Sequence, residues 1–187
     1  MKKILILCAV SCCAIIGCGG ADGLLNTSMV SSSVDTLVLD SDVVTWVDAS
    51  NAKATACAST SLPATPIADV VNVTVTSKAY SNTGSTGLPI RVKMVTISYA
   101  PANSSTPAMP PEYQAVDELI LNGGTKTMPV RVVTQEQKQR LQPALACNTT
   151  IYNYYTKITI DVEEVGSSKT LPVEASMQLR LADFVDK

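Results

Sequence analysis

The sequence predicts an all-β fold, an antiparallel β-sandwich of about seven strands with one short helix. Three observations lead to this prediction. Apolar residues, mostly Val, Ile and Ala, alternate with Ser and Thr in several runs, as is typical of strands with one buried face. Segments rich in Gly, Pro, Asn and Ser separate these runs. One stretch, near residues 135–141, instead has the residue spacing of a helix start.

The chain begins with a segment typical of an export signal. Lys2 and Lys3 form a short basic head, and residues 4–16 are an apolar run interrupted by Ser11. This run is shorter than the roughly 20 apolar residues that a transmembrane helix needs. Residues 1–17 are therefore expected to be a signal peptide that is removed on export.

The tetrapeptide Ile15-Ile16-Gly17-Cys18 resembles the lipobox of bacterial lipoproteins. The resemblance implies that the sulfur of Cys18 is acylated and that its acyl chains, palmitate among them, hold the mature protein in a membrane. Gly19 stands where lipoproteins retained in the inner membrane carry Asp, so the implied location is the cell envelope at the outer membrane. An ordinary cleaved signal, with Cys18 merely near the cleavage site, is the alternative.

The remaining chain is expected to divide into a tether and one domain. Residues 18–33 are mostly small and polar without periodicity, which predicts a flexible tether. Residues 34–187 are long enough for one β-sandwich domain with a substantial core. Residues 34–48 carry two short β-type runs, and residues 49–66, rich in Ala, Ser, Thr and Pro, predict a long loop.

Asp69 begins the clearest alternation in the chain. Three valines of this run are expected to face the core: Val71, Val73 and Val75. In the next run the apolar parity changes after Met94, with Val92 and Met94 expected inward before the change. The change predicts a β-bulge between Met94 and Val95.

Asn122-Gly123-Gly124 separates two strand-like runs, residues 116–121 and residues 127–133. Because Asn-Gly adopts positive φ at little cost, this pattern predicts a β-hairpin. Thr134 and Gln137 then have the spacing of a capping box. A helix of one or two turns is expected over residues 135–141, ending near the proline at position 143.

Two long strands are expected to complete the domain. The first spans residues 150–165, with three residues expected inward: Ile158, Ile160 and Val162. Three acidic residues of the same strand are expected to face solvent: Asp161, Glu163 and Glu164. The last strand has five residues expected inward: Val173, Ala175, Met177, Leu179 and Leu181.

The order of these strands is similar to that of immunoglobulin-like and fibronectin-III-like domains, with a short helix ahead of the penultimate strand. The chain departs from antibody domains because neither Cys57 nor Cys147 lies in the middle of a predicted strand. Four short stretches within residues 69–187 also resemble accessory lipoproteins of anaerobic Gram-negative bacteria: ISYAPA, PAMPPEY, PVRVVTQEQK and LRLADF. No functional residue is carried over from that second resemblance.

Two cysteines follow the N-terminal segment, Cys57 and Cys147. An even pair in an exported domain most simply forms one disulfide bond. Two free buried thiols are the alternative. A metal site is not expected, because two thiolates in a chain without His leave a zinc ion short of ligands.

The composition excludes several function classes. The chain has 0 His, which removes Ser-His-Asp and Cys-His catalysis, and it has no C-x-x-C pair. A net charge of −2 provides no basic field for nucleic acid. We therefore expect no catalytic residues, no cofactor and no nucleic-acid partner. An enzyme that uses a Ser-Lys pair or paired carboxylates is a more remote alternative.

Two residue clusters have side chains that are typical of binding sites. Four acidic residues lie close together in sequence and offer oxygen ligands for calcium, but their spacing is more typical of a solvated acidic edge: Asp35, Asp40, Asp42 and Asp48. Four aromatic residues offer a platform for sugars, although core packing is the favoured interpretation: Trp46, Tyr152, Tyr154 and Tyr155.

These observations predict a lipid-anchored envelope protein that acts as a non-catalytic structural or protein-interaction module. Its expected contacts are the membrane, through the N-terminal lipid, and an envelope protein partner. The alternative is a solute- or glycan-binding lipoprotein. In that case the loops at residues 82–89 and 101–111 would form the binding site at one end of the sandwich.

Overall fold

The structure is a computed structural model that describes residues 20–21, 23–25, 27–55, 57–80 and 87–184. The expected signal peptide and the lipidation site at Cys18 lie outside these residues, as does most of the loop at residues 82–89. The described residues include no helix with the length and apolar character of a membrane span.

The chain is mostly β, with several antiparallel sheets, as predicted. The described residues form these strands: β1 (Gly20–Ala21), β2 (Gly23–Leu24), β3 (Ser28–Val34), β4 (Val38–Asp42), β5 (Thr45–Val47), β6 (Leu62–Ala64), β7 (Asp69–Ala79), β8 (Ile90–Pro101), β9 (Glu112–Ile120), β10 (Thr125–Val133), β11 (Tyr152–Glu164) and β12 (Thr170–Ala182). They also form one helix, α1 (Gln135–Leu145), between β10 and β11.

The larger sheet has β12, β11, β8 and β9 as consecutive antiparallel neighbours. The free edge of β12 is shared by β1, which pairs antiparallel, and β4, which pairs parallel. A smaller antiparallel sheet has the order β10-β7-β3-β2, and β5 pairs with β6 in a separate ribbon. The parallel β4–β12 pairing is a departure from the purely antiparallel arrangement that the sequence predicts.

Apolar side chains of the larger and the smaller sheet form one buried cluster. The inward residues predicted for β7, β11 and β12 are confirmed, because all of them are buried. Two tyrosines, Tyr99 and Tyr154, meet edge to face with ring centroids 6.3 Å apart. Their hydroxyls donate to the carbonyls of Val132 and Pro107, at 2.8 Å in each case. Burial raises the pKa of each phenol to about 12.

The structure places most of the expected tether in strands. Ser28–Val34 forms β3, which pairs with β7 along its whole length. Its inward positions include two serines, whose hydroxyls donate to backbone carbonyls: Ser28 to Leu88 at 3.2 Å and Ser32 to Glu174 at 2.8 Å. The polar composition of this segment does not indicate a strand. Small hydroxyl side chains nevertheless fit a buried face when backbone carbonyls accept their hydrogen bonds.

The prediction of a β-hairpin at Asn122-Gly123-Gly124 is wrong, because the two strands that flank the turn do not pair with each other. The turn forms, with φ of 73° at Gly123 and a 2.8 Å hydrogen bond from the Gly124 N–H to the Leu121 carbonyl. However, β9 pairs with β8 in the larger sheet, and β10 pairs with β7 in the smaller one. Turn residues favour a reversal of the chain but do not specify which strand each arm joins.

The β-bulge in β8 lies slightly earlier than predicted. Consecutive β11 residues Asp161 and Val162 pair with Met94 and Val92, which leaves Lys93 as the extra residue. Met94, expected inward, is therefore turned to the outer side and is 40% exposed. The inward parity resumes at Val95 as predicted.

The start of α1 is confirmed. The Thr134 hydroxyl accepts from the Gln137 N–H at 3.1 Å, and the Gln137 side chain accepts from the Thr134 N–H at 2.9 Å. The helix extends to Leu145, beyond the predicted end, and includes Pro143. Leu141 and Leu145 are both buried in the core, and their packing outweighs the single backbone hydrogen bond that Pro143 cannot donate.

Glu164, expected to face solvent, is fully buried. It has the same parity on β11 as Ile160 and Val162, so its side chain turns inward at the end of the strand. Burial by itself would raise the pKa of the Glu164 carboxyl. Hydrogen bonds from the Ser167 hydroxyl and from the hydroxyl and N–H of Thr27 outweigh that effect, with help from the Lys169 charge, so the pKa lies below its usual value.

Candidate functional site at the Cys57–Cys147 disulfide

The structure joins Cys57 and Cys147 by a disulfide bond, with their Cα atoms 5.5 Å apart and a sequence separation of 90. Cys57 lies in the loop between β5 and β6, and Cys147 lies two residues after the end of α1. Both residues are exposed. The alternative of two free buried thiols therefore does not hold.

Both cysteines adopt left-handed backbone conformations, with φ of 59° at Cys57 and 57° at Cys147. Residues with a Cβ atom rarely adopt this conformation, because the Cβ atom approaches the following carbonyl. The cross-link therefore connects two backbone positions that are each strained locally.

Asp183, which directly follows β12, completes the surroundings of the bond. Its Oδ2 atom accepts from the Cys147 N–H at 2.7 Å and lies 3.6 Å from the Cys57 sulfur. The Trp46 indole N–H lies 3.1 Å from Oδ1 and 3.3 Å from Oδ2. Asp183 could not be predicted from the sequence, since no motif or periodicity singles out an Asp just after the last alternating strand.

A cleft of about 410 Å³ opens beside the disulfide. Beyond the two cysteines it is lined by these residues: Asn148, Thr149, Ile151, Ala182, Asp183 and Phe184. The cleft thus combines an apolar wall with a disulfide and a carboxylate, all reachable from solvent.

The four aromatic residues do not form a sugar-binding platform. Trp46 and Tyr154 are buried in the core, Tyr152 is partly buried and packs against it, and Tyr155 is exposed on the opposite parity of β11. Core packing, the favoured interpretation, is therefore confirmed for Trp46 and Tyr154.

The four aspartates that offer calcium ligands engage separate protein partners. Asp35 accepts from the Asn72 side chain at 3.0 Å, and Asp40 pairs with Arg180 at 3.1 Å. The Ser50 hydroxyl, followed by backbone N–H donors, lowers the pKa of the Asp48 carboxyl. Among the described residues, none of these four belongs to a cluster of three or more metal-ligating groups.

The outer surface of the larger sheet carries a second candidate site, which we call the tyrosine face and define by four exposed residues: Val38, Met94, Tyr113 and Tyr155. Tyr113 and Tyr155 are 62% and 65% exposed. Register places all four on one side. Val38 and Tyr155 both oppose Gln178, Tyr113 opposes Thr96, and Met94 opposes Asp161.

Charged residues on the tyrosine face include pairs of opposite sign. Lys157 lies 3.0 Å from Glu174, and Arg180 lies 3.1 Å from Asp40. These cross-strand pairs reduce the net charge that the face presents to a partner.

Within the described residues, the disulfide cleft and the tyrosine face are thus the two candidate sites. No protein-family model matches the sequence, and no curated protein is significantly similar to it.

Proposed function

We propose that this chain is an exported, lipid-anchored, immunoglobulin-like β-sandwich that acts as a non-catalytic protein-interaction module of the cell envelope. The tyrosine face is the observation that carries the proposal. The membrane contact is made by lipid on Cys18, and the partner is an envelope protein that binds across β4, β12, β11, β8 and β9.

The chemistry of the tyrosine face fits a protein partner. Tyrosine and methionine are enriched at protein interfaces, and charged residues are depleted at their centres. A tyrosine ring offers apolar contact area together with a hydroxyl that stays hydrogen-bonded. Tyr113, Tyr155 and Met94 provide this combination, and ion pairing of Lys157 and Arg180 reduces the net charge around them.

Two further features support an exported β-sandwich. Disulfide bonds form and persist in oxidising compartments outside the cytoplasm, and the Cys57–Cys147 bond fits such a location. One buried cluster includes side chains of the larger and the smaller sheet, as in a sandwich whose layers face each other.

Site-specific photo-crosslinking in cells tests the interaction. A photoreactive amino acid is placed at Tyr113 or Tyr155, and at Thr127 as a control, because Thr127 is exposed on the smaller sheet. We expect a protein adduct of one defined mass from positions 113 and 155 and none from position 127. Absence of adducts at all three positions, or equal adducts at all three, would contradict the proposal.

The lipid anchor is tested separately by metabolic labelling with a fatty acid. We expect label on the wild-type chain and none on Cys18→Ser, with Cys57→Ser as the control that keeps the label. A labelled Cys18→Ser chain, or an unlabelled wild-type chain, would refute the anchor while leaving the interaction proposal open to its own test.

Solute binding is the second candidate function, and the cleft beside the disulfide favours it. Its volume of about 410 Å³ lies within the usual range of small-molecule pockets. A thermal-shift screen of glycans and small solutes tests this candidate, because a ligand raises the melting temperature by mass action. A hit that disappears in Ile151→Asp supports binding in the cleft, whereas a screen without hits removes this candidate.

A further inference from the structure

We propose that Cys57, Cys147 and Asp183 form a binding site for a thiophilic divalent cation when the disulfide is reduced. The two sulfur atoms and a carboxylate oxygen all lie within 4.8 Å of one another. In the oxidised chain the sulfurs are bonded to each other, so the site exists in the reduced state. This inference is independent of the interaction proposed for the tyrosine face.

The ligand set suits zinc or a similar ion. Zinc binds thiolate sulfur and carboxylate oxygen, and sites with three protein ligands complete a tetrahedron with water. Two thiolates alone leave a zinc ion short of ligands, which is why the sequence predicts no metal site. Folding supplies a third protein ligand, because β12 brings Asp183 to the two cysteines from the far end of the chain.

The surroundings hold the carboxylate in place. Asp183 accepts hydrogen bonds from the Trp46 indole and from the Cys147 N–H, and such second contacts orient metal-binding carboxylates. Both cysteines are exposed and line the open cleft, which provides an entry path for the ion.

The redox step balances with an external dithiol as reductant. The dithiol transfers two electrons and two protons, the protein S–S bond breaks, and the dithiol itself is oxidised to a disulfide. Cys57 and Cys147 then carry one thiol each. Binding of the divalent ion displaces the two thiol protons, so that two thiolates and the Asp183 carboxylate surround the ion.

A bound ion also restores the connection that reduction removes. The disulfide holds the β5–β6 loop against the segment after α1, with both cysteines at positive φ. An ion shared by the same two sulfurs re-forms this cross-link. Reduction should therefore lower the melting temperature, and the ion should raise it again.

Titration with Cd²⁺ tests the proposal. The full chain is prepared in detergent with Ser substituted at its other cysteines, Cys8, Cys12, Cys13 and Cys18, so that its thiols are confined to the site. After reduction by a phosphine and removal of the reductant without air, Cd²⁺ is added. We expect saturation at one equivalent, an ultraviolet thiolate-to-metal band, and a change in the fluorescence of Trp46, the single tryptophan of the sequence.

Variants separate the proposed site from nonspecific thiol binding. Asp183→Asn should weaken Cd²⁺ binding by at least about tenfold, whereas Asp161→Asn, on the outer surface of β11, should not change it. Cys57→Ser should abolish the band. The unreduced chain should bind no Cd²⁺ at the same concentrations.

Three results would overturn the inference: a reduced chain without the band, binding that does not saturate at one equivalent, or equal affinity of Asp183→Asn and the parent chain. Circular dichroism and thermal unfolding are recorded in parallel. If reduction unfolds the chain, Cd²⁺ should refold it, and failure to refold would also refute the site.

Discussion

The carboxylate of Glu164 binds Thr27 twice, accepting from its backbone N–H at 2.8 Å and from its hydroxyl at 2.7 Å. The Thr27 hydroxyl also accepts from the Leu88 N–H at 2.8 Å. One buried carboxylate thus connects the N-terminal segment of the chain to the end of β11, and through Thr27 to the segment that enters β8.

Replacement of this carboxylate should destabilise the fold. We expect Glu164→Gln to lower the free energy of unfolding by about 1.5–3 kcal/mol, because a buried charge-assisted set of hydrogen bonds is lost. Urea unfolding measures the change. Glu174→Gln is the control, since that carboxylate pairs with Lys157 at the surface and should contribute less than about 1 kcal/mol. Equal losses in the two variants would contradict a special role for Glu164.

The same carboxylate should make stability depend on pH. Its pKa in the folded chain lies below the ordinary value of 4.5, so the unfolded chain binds the proton more readily. The stabilisation is therefore present above about pH 4.5 and is lost as the pH falls through the lower folded pKa. We expect the difference in unfolding free energy between wild type and Glu164→Gln to shrink on acidification. A difference that stays constant from pH 7 to pH 3 would rule out this titration.

Removal of the disulfide should cost a large share of the stability. The bond closes a loop with a sequence separation of 90, for which the loop-closure model predicts about 4–5 kcal/mol. We expect the Cys57→Ser/Cys147→Ser double variant to unfold at correspondingly lower urea concentration. The wild-type chain treated with a phosphine serves as the control and should approach the double variant. A double variant as stable as the oxidised chain would contradict the prediction.

The Gln114 side chain covers part of the edge of β10, and the protection that it gives this edge should be measurable. The Gln114 side chain donates to the Arg131 carbonyl at 2.7 Å and accepts from the Arg131 N–H at 3.1 Å, in the place of a neighbouring strand. We expect Gln114→Ala to expose this edge, increase the hydrogen-exchange rate of the Arg131 amide and favour self-association. Lys126→Ala, which removes a surface ion pair with Glu118, is the control and should leave the Arg131 amide protected.

Local patterns in the sequence were sufficient for much of the fold. Alternation identified the buried faces of β7, β11 and β12, because side chains of a strand point to opposite sides at every step. The Thr134 and Gln137 pair identified the start of α1 for a similar reason, since capping involves residues three positions apart. The cysteine count led to the disulfide, although it did not indicate that both cysteines would be exposed.

Features that depend on residues far apart in the sequence could not be predicted from local patterns. The serines of β3 look like tether residues until β7 and the carbonyls of Leu88 and Glu174 are placed beside them. The Asn122-Gly123-Gly124 turn has the residues of a hairpin, yet its two arms join different sheets. Glu164 has the inward parity of its strand, which predicts a buried side chain. Its charge favoured the opposite expectation, that it faces solvent.

The amino-acid order thus specified which residues alternate, where the helix starts and which two thiols remain to pair, because these properties depend on neighbours a few positions away. Long-range packing assigned each strand to a sheet, buried Glu164 against Thr27 and brought Asp183 to the disulfide. The Glu164–Thr27 and Asp183–Trp46 contacts each join residues 137 positions apart, and their free energy depends on surfaces that meet once the sheets have assembled.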